Sequence, residues 1–347
     1  MSIGVLVIDD SPLAQRWLAD LVLAEPGFAL AGTASNGLAG LELAQGARPG
    51  LVTLDLRMPV MDGLTMLKHL MTTRPTPTVV VSSFATDEST EAFECLRYGA
   101  VDLMAKPTSV GGAPEADHQQ ELLDRLRQAA SVATSRLRYQ RLHRRPLALP
   151  LVGRRIARRL IVALAGRTGL AQALSLLAAT PCNPELAVVV LLDASRRVVD
   201  SFAQYAARYS SVNVTTAGHG TSLEGATAYL IAAGEPLAVI GDTKCLRFAV
   251  FERPAETRTE ALVSGFVRSV AESFGRHLTV VVLSGATPGV EDGLESVRLR
   301  GGALTTQDLE TALEPKLLAA VTLRLGARQI ATWDELAGFA LKSPKRS

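Results

Sequence analysis

Short apolar runs alternate with stretches of helical periodicity through the first hundred residues of the chain. The β-type runs are 3–8, 29–34, 51–54, 79–82 and 101–104. Apolar residues at helical spacing fill the intervals between them, at 13–24, 37–46, 61–73 and 88–98. An alternation of this kind predicts a parallel sheet with helices on both faces. The first part of the chain is therefore predicted to be a doubly wound α/β domain.

Polar side chains stand at the carboxyl ends of four of these runs. Asp9 and Asp10 follow the first, Asp55 the third, Ser82 ends the fourth, and Lys106 follows the fifth. We expect these residues to lie together, because the carboxyl ends of parallel strands open into one crevice. Three carboxylates there favour a hard dication such as Mg²⁺, which prefers oxygen ligands. A carboxylate can also form an acyl phosphate, so Asp55 is the predicted nucleophile of a phosphoryl transfer.

The stretch 3–108 resembles the receiver domain of two-component response regulators. Besides the strand-end residues, the pairs Met58-Pro59, Asp62-Gly63 and Lys106-Pro107 match that family. The resemblance implies that a histidine kinase phosphorylates Asp55, with Ser82 and Lys106 contacting the phosphoryl group. It also implies a Mg²⁺ site, and the predicted site comprises Asp9, Asp10, Asp55 and Arg57, the last through its backbone. One residue departs from the family, since Leu103 stands where an aromatic switch side chain is usual.

Length and composition set limits on the rest of the chain. Its 347 residues favour two domains, and its net charge of +2 does not indicate a nucleic-acid-binding protein. Three cysteines without paired spacing argue against both a disulfide framework and a zinc site. The start of the chain lacks the basic region of a signal peptide, and no apolar run approaches the ~20 residues needed to span a membrane. A soluble, cytoplasmic protein is the expectation.

Residues 109–153 are predicted to be a linker between the two domains. Leucines and alanines at helical spacing indicate an amphipathic helix, and arginines crowd its end. A solvated linker is the favoured interpretation, because Tyr139 is the only aromatic residue in the basic run. The alternative is a patch that binds nucleic acid, which salt-dependent binding to duplex DNA would reveal.

The second domain, 154–347, again has an α/β pattern. Its apolar runs are 160–165, 186–192, 227–232, 247–251 and 278–283. Helical spacing is seen at 169–178, 196–207, 259–274, 290–299 and 308–325. The order predicts a second doubly wound parallel sheet.

This second half resembles the catalytic domain of the protein-glutamate methylesterases of chemotaxis, which follow a receiver in the same order. The matching pieces are Ile161–Gly169, Gly220 to Tyr229, Arg268–Ala271, Leu283-Ser284-Gly285, Gly301-Gly302 and Gln307-Asp308. The resemblance implies hydrolysis of glutamyl methyl esters, or deamidation of glutamine, on chemoreceptors. It also implies an active site made of a serine, a histidine and an aspartate.

The three triad positions carry other residues here. The serine position is Arg167, and the histidine position is Asp193, or Leu192 if the register slips by one. The aspartate position is Gly289 without gaps, whereas a gap would place Glu291 or Asp292 nearby. A guanidinium stays protonated and cannot attack an ester, and a carboxylate is a weaker base than imidazole near neutral pH. Loss of the triad serine or histidine removes about 10⁶-fold of turnover in a serine hydrolase. We therefore predict no catalytic residues in this domain, with Arg167 as a candidate anion-binding residue at a helix start.

Two functional interpretations follow for the second domain. In the first, a catalytically silent domain binds receptors or adaptors of a chemosensory pathway, or the protein serves as a phosphate sink. In the second, a rearranged site still hydrolyses esters. Thr168 is a weak nucleophile without an evident base, Ser284 has no histidine near it in sequence, and His219 and His277 are predicted to be surface residues.

Overall fold

The chain forms two compact units, Met1–Arg141 and Leu142–Ser347. The computed structural model describes residues 2–82, 90–106, 116–137, 139, 142, 155–242, 245–252, 254, 256–330, 332–333 and 335–336. Pro107 and, within the predicted linker, residues 109–115, 138, 140–141 and 143–153 lie outside the described residues, as does Arg154.

Five parallel strands form the sheet of the first unit, in the order β2-β1-β3-β4-β5. The strands are β1 (Ile3–Ile8), β2 (Phe28–Ala34), β3 (Leu51–Leu54), β4 (Thr78–Ser82) and β5 (Asp102–Ala105). The helices are α1 (Pro12–Ala24), α2 (Gly37–Ala47), α3 (Gly63–Thr73), α4 (Thr90–Arg97) and α5 (Ala116–Ala130). The predicted doubly wound sheet is confirmed.

Polar residues cap the first three helices of this unit at their N-terminal ends. Ser11 caps α1 by accepting a hydrogen bond from a backbone N–H of its first turn, and Pro12 occupies the first helical position. Asn36 caps α2, and Asp62 caps α3 with a bond of 2.8 Å from Thr65 N. These caps fix where each chain segment leaves the sheet, which keeps the carboxyl ends of the strands open to one side.

Helix α5 is part of the first unit and not of a linker, which differs from the predicted boundary at residue 108. Leu122, Leu126 and Ala129 are buried, and the helix contacts α1 and strands β3, β4 and β5. The amphipathic pattern predicted the helix but not its partner. Its apolar face needs a surface to cover, and the sheet supplies one.

Seven parallel strands form the sheet of the second unit, in the order β14-β13-β12-β6-β7-β9-β8. The strands of the whole unit, including two outside this sheet, are β6 (Arg159–Ala165), β7 (Leu186–Leu192), β8 (Asn213–Thr216), β9 (Thr227–Ala232), β10 (Leu237–Asp242), β11 (Cys245–Val250), β12 (Leu278–Val282), β13 (Ala303–Gln307) and β14 (Arg328–Ile330). The helices are α6 (Leu170–Ala179), α7 (Arg196–Ala206), α8 (Thr259–Phe274), α9 (Glu291–Leu299) and α10 (Lys316–Leu325). Strands β10 and β11 pair as a separate antiparallel hairpin.

The second unit contains elements that the apolar pattern did not predict. Strand β13 includes Thr305 and Thr306, whose side chains are buried and hydrogen-bonded, so it does not read as an apolar run. The helix predicted over 308–325 begins only at Lys316. Pro315 explains the late start, because a proline disfavours helical backbone in the residue before it. Residues 308–315 therefore form a loop at the carboxyl end of β13.

The central strands β6, β7 and β12 are buried along almost their whole length. Such continuous burial is expected of parallel strands with helices on both faces. Within the part of the chain that the structure describes, no helix combines the length and the apolar character required to cross a bilayer.

Candidate functional site

Acidic residues meet at the carboxyl edge of the first sheet, where strand order reverses between β1 and β3. Asp9 and Asp55 are buried, and Asp10 is exposed. One carboxylate oxygen from each lies within 4.8 Å of the others. The structure thus brings together the three carboxylates that the sequence placed at strand ends, at the position where open α/β sheets bind ligands.

The ammonium of Lys106 joins two of these acids. Its Nζ lies 2.7 Å from Asp9 Oδ2 and 2.9 Å from Asp55 Oδ2. Burial alone would lower the pKa of Lys106, but the hydrogen bonds to the two carboxylates outweigh it and the pKa is raised. Burial raises the pKa of Asp9, although its hydrogen bonds from Lys106 and the Ser11 N–H act in the opposite direction. A single cation therefore balances two buried acids.

Close backbone packing holds Asp55 in place. Its N–H donates to Ile8 O at 2.9 Å, and its Oδ1 accepts from Leu56 N at 2.8 Å. The residue after Asp62 must be a glycine, because a Cβ at Gly63 would lie 2.1 Å from Asp55 O. The phosphoacceptor candidate is thus fixed by neighbours that admit no larger residue.

Ser82 and Arg57 complete the predicted set. Ser82 is buried at the end of β4, and its carbonyl accepts from Lys106 N at 3.1 Å. Arg57 is exposed two residues beyond Asp55. Strand neighbours therefore place Ser82 and Lys106 side by side, while Arg57 sits on the loop after β3.

Arg125 of α5 is a contact that sequence reasoning missed. Its Nη1 donates to Leu103 O at 2.8 Å and lies 3.7 Å from Asp102 Oδ2, and its Nη2 bonds Glu121 at 2.6 Å. The guanidinium thereby ties α5 to β5 at the residue that departs from the receiver pattern. Lys106 follows on the same segment, three residues later.

In the second unit the strand order reverses between β6 and β12. The turns after these strands pack directly on each other, with Gly166 N donating to Ser284 O at 3.1 Å. A Cβ on Gly166 would lie 1.6 Å from Gly285 O, so only glycine permits this approach. By the general rule for open α/β sheets, this is the expected ligand position of the second unit.

The three predicted triad positions all follow strands at this edge. Arg167 is half-buried and begins the short 3₁₀ turn that precedes α6. Asp193 is exposed directly after β7, and its N–H donates to Ala165 O at 2.9 Å. Gly289 lies in the loop between β12 and α9 with a φ of 80°. All three positions therefore follow the carboxyl ends of strands, and their correspondence to a triad stays a prediction.

Two buried hydroxyls and a carboxylate lie together beside Arg167. Thr168 Oγ1 is 2.6 Å from Glu314 Oε1 and 3.1 Å from Ser284 Oγ, and Glu314 N donates to Ser284 Oγ at 2.8 Å. Thr168 is 4% exposed and Ser284 is fully buried. Sequence reasoning named both hydroxyls but missed Glu314, because it assigned that residue to a helix.

Histidines do not take part in this cluster as far as the described residues show. His219 Nδ1 accepts from Val250 N at 3.2 Å, beside the β10–β11 hairpin. His277 immediately precedes β12, whereas Ser284 follows its carboxyl end. At about 3.3 Å per residue, the two are separated by roughly 20 Å along the strand direction. Burial, with the nearby Arg159 and Arg276, lowers the pKa of His277.

Comparisons with known proteins agree with both units. Residues 5–112 match the model of the response regulator receiver domain, and residues 161–339 match that of the CheB methylesterase. A protein-glutamate methylesterase/protein-glutamine glutaminase of Caldanaerobacter subterraneus is 29% identical over 98% of this chain and 96% of its own length. A relative of the same name, numbered 6, from Anaeromyxobacter dehalogenans is 34% identical over 90% of this chain and 87% of its own length.

Among solved structures, the response regulator domain of Thermotoga maritima CheB is 34% identical, with a TM-score of 0.36. The match covers 38% of this chain and 99% of that domain. The sequence matches extend over both units and in the same order as in the relatives. The chain therefore belongs to the CheB methylesterase family, as a response regulator with a receiver domain ahead of its methylesterase domain.

Proposed function

We propose that a histidine kinase phosphorylates Asp55 and so controls protein binding by a methylesterase domain that has no hydrolase activity. The observation that carries the proposal is the cluster at the end of β6. Arg167 stands at the nucleophile position, and the two hydroxyls beside it bond a carboxylate and a backbone N–H. No described histidine contacts either hydroxyl, so the acid–base partner of a serine hydrolase is not at hand.

The first crevice supports phosphoryl transfer. The Asp55 carboxylate would attack the phosphorus of the kinase's phosphorylated histidine, so an O–P bond forms as the P–N bond breaks and the imidazole leaves. Lys106 would pair with a phosphoryl oxygen through its ammonium. The Ser82 hydroxyl would donate to a second oxygen. These roles are proposed from the positions of the side chains at the ends of β3, β4 and β5.

The same crevice fits a magnesium ion. Three carboxylate oxygens within 4.8 Å of one another form the hard, acidic ligand set that Mg²⁺ requires. Asp9, Asp10 and Asp55 would hold it with the carbonyl of Arg57. When bound, the ion would offset negative charge on the carboxylates and on the phosphoryl group.

The second domain would act by binding. The relatives are named for action on protein glutamate and glutamine side chains, so chemoreceptors and chemosensory adaptors are the proposed partners. A guanidinium cannot form an acyl intermediate, because it remains protonated at any working pH. The silent domain would therefore bind a partner protein without modifying it. The receiver could also act as a phosphate sink that accepts phosphoryl groups from the kinase. A cytoplasmic location remains a prediction.

A methanol-release assay tests this proposal. The full chain, phosphorylated and unphosphorylated, is incubated with methylated chemoreceptor, alongside an active relative that carries the triad. We expect release by the relative and none above background by this chain. Turnover by the wild-type chain that is lost in Thr168→Val would overturn the proposal.

One observation favours a second candidate function, a hydrolase with a rearranged site. The 2.6 Å bond between Thr168 Oγ1 and Glu314 Oε1 could let the carboxylate accept the hydroxyl proton. Burial of Thr168 argues against it, since a nucleophile must reach its substrate. Glu314→Gln keeps the shape but not the base, so it would abolish turnover if this candidate were correct.

A further inference from the structure

The chain itself supplies a carboxylate to the edge of the sheet between the ends of β6 and β12. Glu314 comes from the loop between β13 and α10. Its side chain accepts from Thr168, and its backbone N–H donates to Ser284. This is the switch point of the sheet, where doubly wound folds receive ligands.

We propose that Thr168, supported by the Ser284 hydroxyl, forms a carboxylate-binding pocket in which Glu314 is the resident internal ligand. Glu314 thereby excludes other carboxylates, including the acidic side chains of partner proteins. The inference rests on the proposed silent function and deepens it. In this proposal the three triad positions carry other residues, and the Glu314 carboxylate in addition occupies the place beside the nucleophile position.

Gly285 leaves the space that the carboxylate of Glu314 occupies. Gly285 forms one side with a φ of 65°, and a Cβ there would lie 2.4 Å from Thr168 Oγ1 and 3.1 Å from Glu314 Oε1. Any larger residue would displace the carboxylate from the hydroxyl. Gly166 packs against Gly285 from behind, which brings the β6 and β12 turns close enough for both hydroxyls to reach the same place.

A hydrogen-bond chain holds the hydroxyls in register with the acid. Gln307 Oε1, at the end of β13, accepts from Ser284 N at 3.1 Å. Ser284 Oγ in turn accepts from Glu314 N, so its proton is free to point toward Thr168 Oγ1 at 3.1 Å. Thr168 can then donate to the carboxylate, and hydrogen bonds to an ionised acceptor are the strong ones. Three adjacent strands are tied to the loop by this chain.

Pro315 keeps Glu314 out of α10. The helix begins at Lys316, with Pro315 at its cap, so the residue before the proline is free to turn its side chain into the sheet edge. A helix over 308–325 would have placed Glu314 in regular helical backbone. Pro315 thus accounts both for the late start of α10 and for the position of Glu314 against Thr168.

Chemical rescue tests the pocket. Glu314→Ala removes the internal ligand and leaves the Thr168 donor without its acceptor, so the melting temperature should fall. Sodium acetate should restore it by a few degrees relative to sodium chloride at equal ionic strength, because a ligand that binds only the folded state stabilises it. Half-saturation on the order of millimolar or above is expected for a ligand of so few atoms.

Two variants control the experiment. Glu310→Ala removes an exposed acid from the same loop and should show no acetate-specific response. Thr168→Val/Glu314→Ala removes the donor as well and should lose the rescue. If folded Glu314→Ala responds equally to acetate and chloride, or if the double variant is rescued as well as the single one, the pocket does not exist.

A variant that fails to fold still gives an answer. Glu314→Ala is then refolded from urea into acetate or into chloride, and higher recovery of native chain in acetate is expected. Equal recovery in both salts overturns the proposal. Methanol release by the wild-type chain bears only on catalytic silence, so failure of the proposed function and failure of the pocket remain separate results.

Discussion

Lys106 is the residue whose removal should most strongly disturb the first domain. Its ammonium contacts two buried carboxylates, at 2.7 Å on Asp9 and 2.9 Å on Asp55. Lys106→Met keeps much of the side-chain volume and removes the charge. The two acids then face each other without a cation, with Asp10 nearby.

The geometry sets the size of the effect. The carboxylate oxygens lie within 4.8 Å of one another. Two unit charges at that distance repel by about 3.5 kcal/mol with an effective dielectric constant of ~20, and in the wild-type chain the attraction of Lys106 for both acids offsets this repulsion. Breaking a buried ion pair from one side costs about 3–5 kcal/mol, which agrees. We therefore expect Lys106→Met to lose about 3–4 kcal/mol of unfolding free energy without divalent metal, and clearly less with saturating Mg²⁺, which would replace the lost charge.

Urea unfolding measures both numbers. Trp17 lies in α1 and reports on the first domain, and Trp333→Phe removes the second tryptophan from the background. Lys68→Met serves as the control, since Lys68 contacts the Tyr98 ring and no acid of the crevice. A loss below about 1 kcal/mol, the range of surface ion pairs, would refute the reasoning. So would a loss that is the same with and without Mg²⁺.

Three further predictions concern other parts of the molecule. Arg125→Gln should destabilise the first domain by about 1–3 kcal/mol, because it removes the hydrogen-bond donor of Leu103 O. Arg127→Gln, at an exposed arginine of the same helix, should change the stability little, and thermal unfolding compares the two variants. A thiol reagent should modify the exposed Cys182 in the native chain but Cys95 only on unfolding, since burial raises the pKa of Cys95; equal rates would contradict this. The pKa of His277 is lowered from its ordinary value of 6.5 in the folded chain. The stability that the neutral imidazole contributes is therefore present above pH 6.5 and is lost as the pH falls through the lowered pKa. His277→Gln should flatten the acid side of a plot of unfolding free energy against pH.

Much of the fold could be predicted because parallel strands buried on both faces are almost purely apolar. Strands β3, β6 and β7 appear in the sequence with nearly their true bounds. Strand β13 did not, since its threonines are satisfied by hydrogen bonds that no periodicity reveals. Helix α5 was recognised but misplaced, because an amphipathic pattern shows that a partner exists and not which one.

The candidate sites divide in the same way. Strand-end residues such as Asp55 and Lys106 could be predicted, because sheet topology alone brings strand ends together. Contacts from outside the strands could not. Arg125 reaches Leu103 from a helix, and Glu314 reaches Thr168 from a loop more than a hundred residues later in the chain. Such contacts depend on how loops close over the sheet.

The contact between Glu314 and Thr168 bears on what it would take to restore a catalytic triad in this domain. Substitutions could place a serine at Arg167, a histidine at Asp193 and an aspartate at Gly289. Glu314 would still hold the hydroxyl of Thr168, the residue next to the restored serine. If the proposed silence is correct, we expect that restoring the three triad residues alone does not produce methanol release, and that the loop before α10 must change as well.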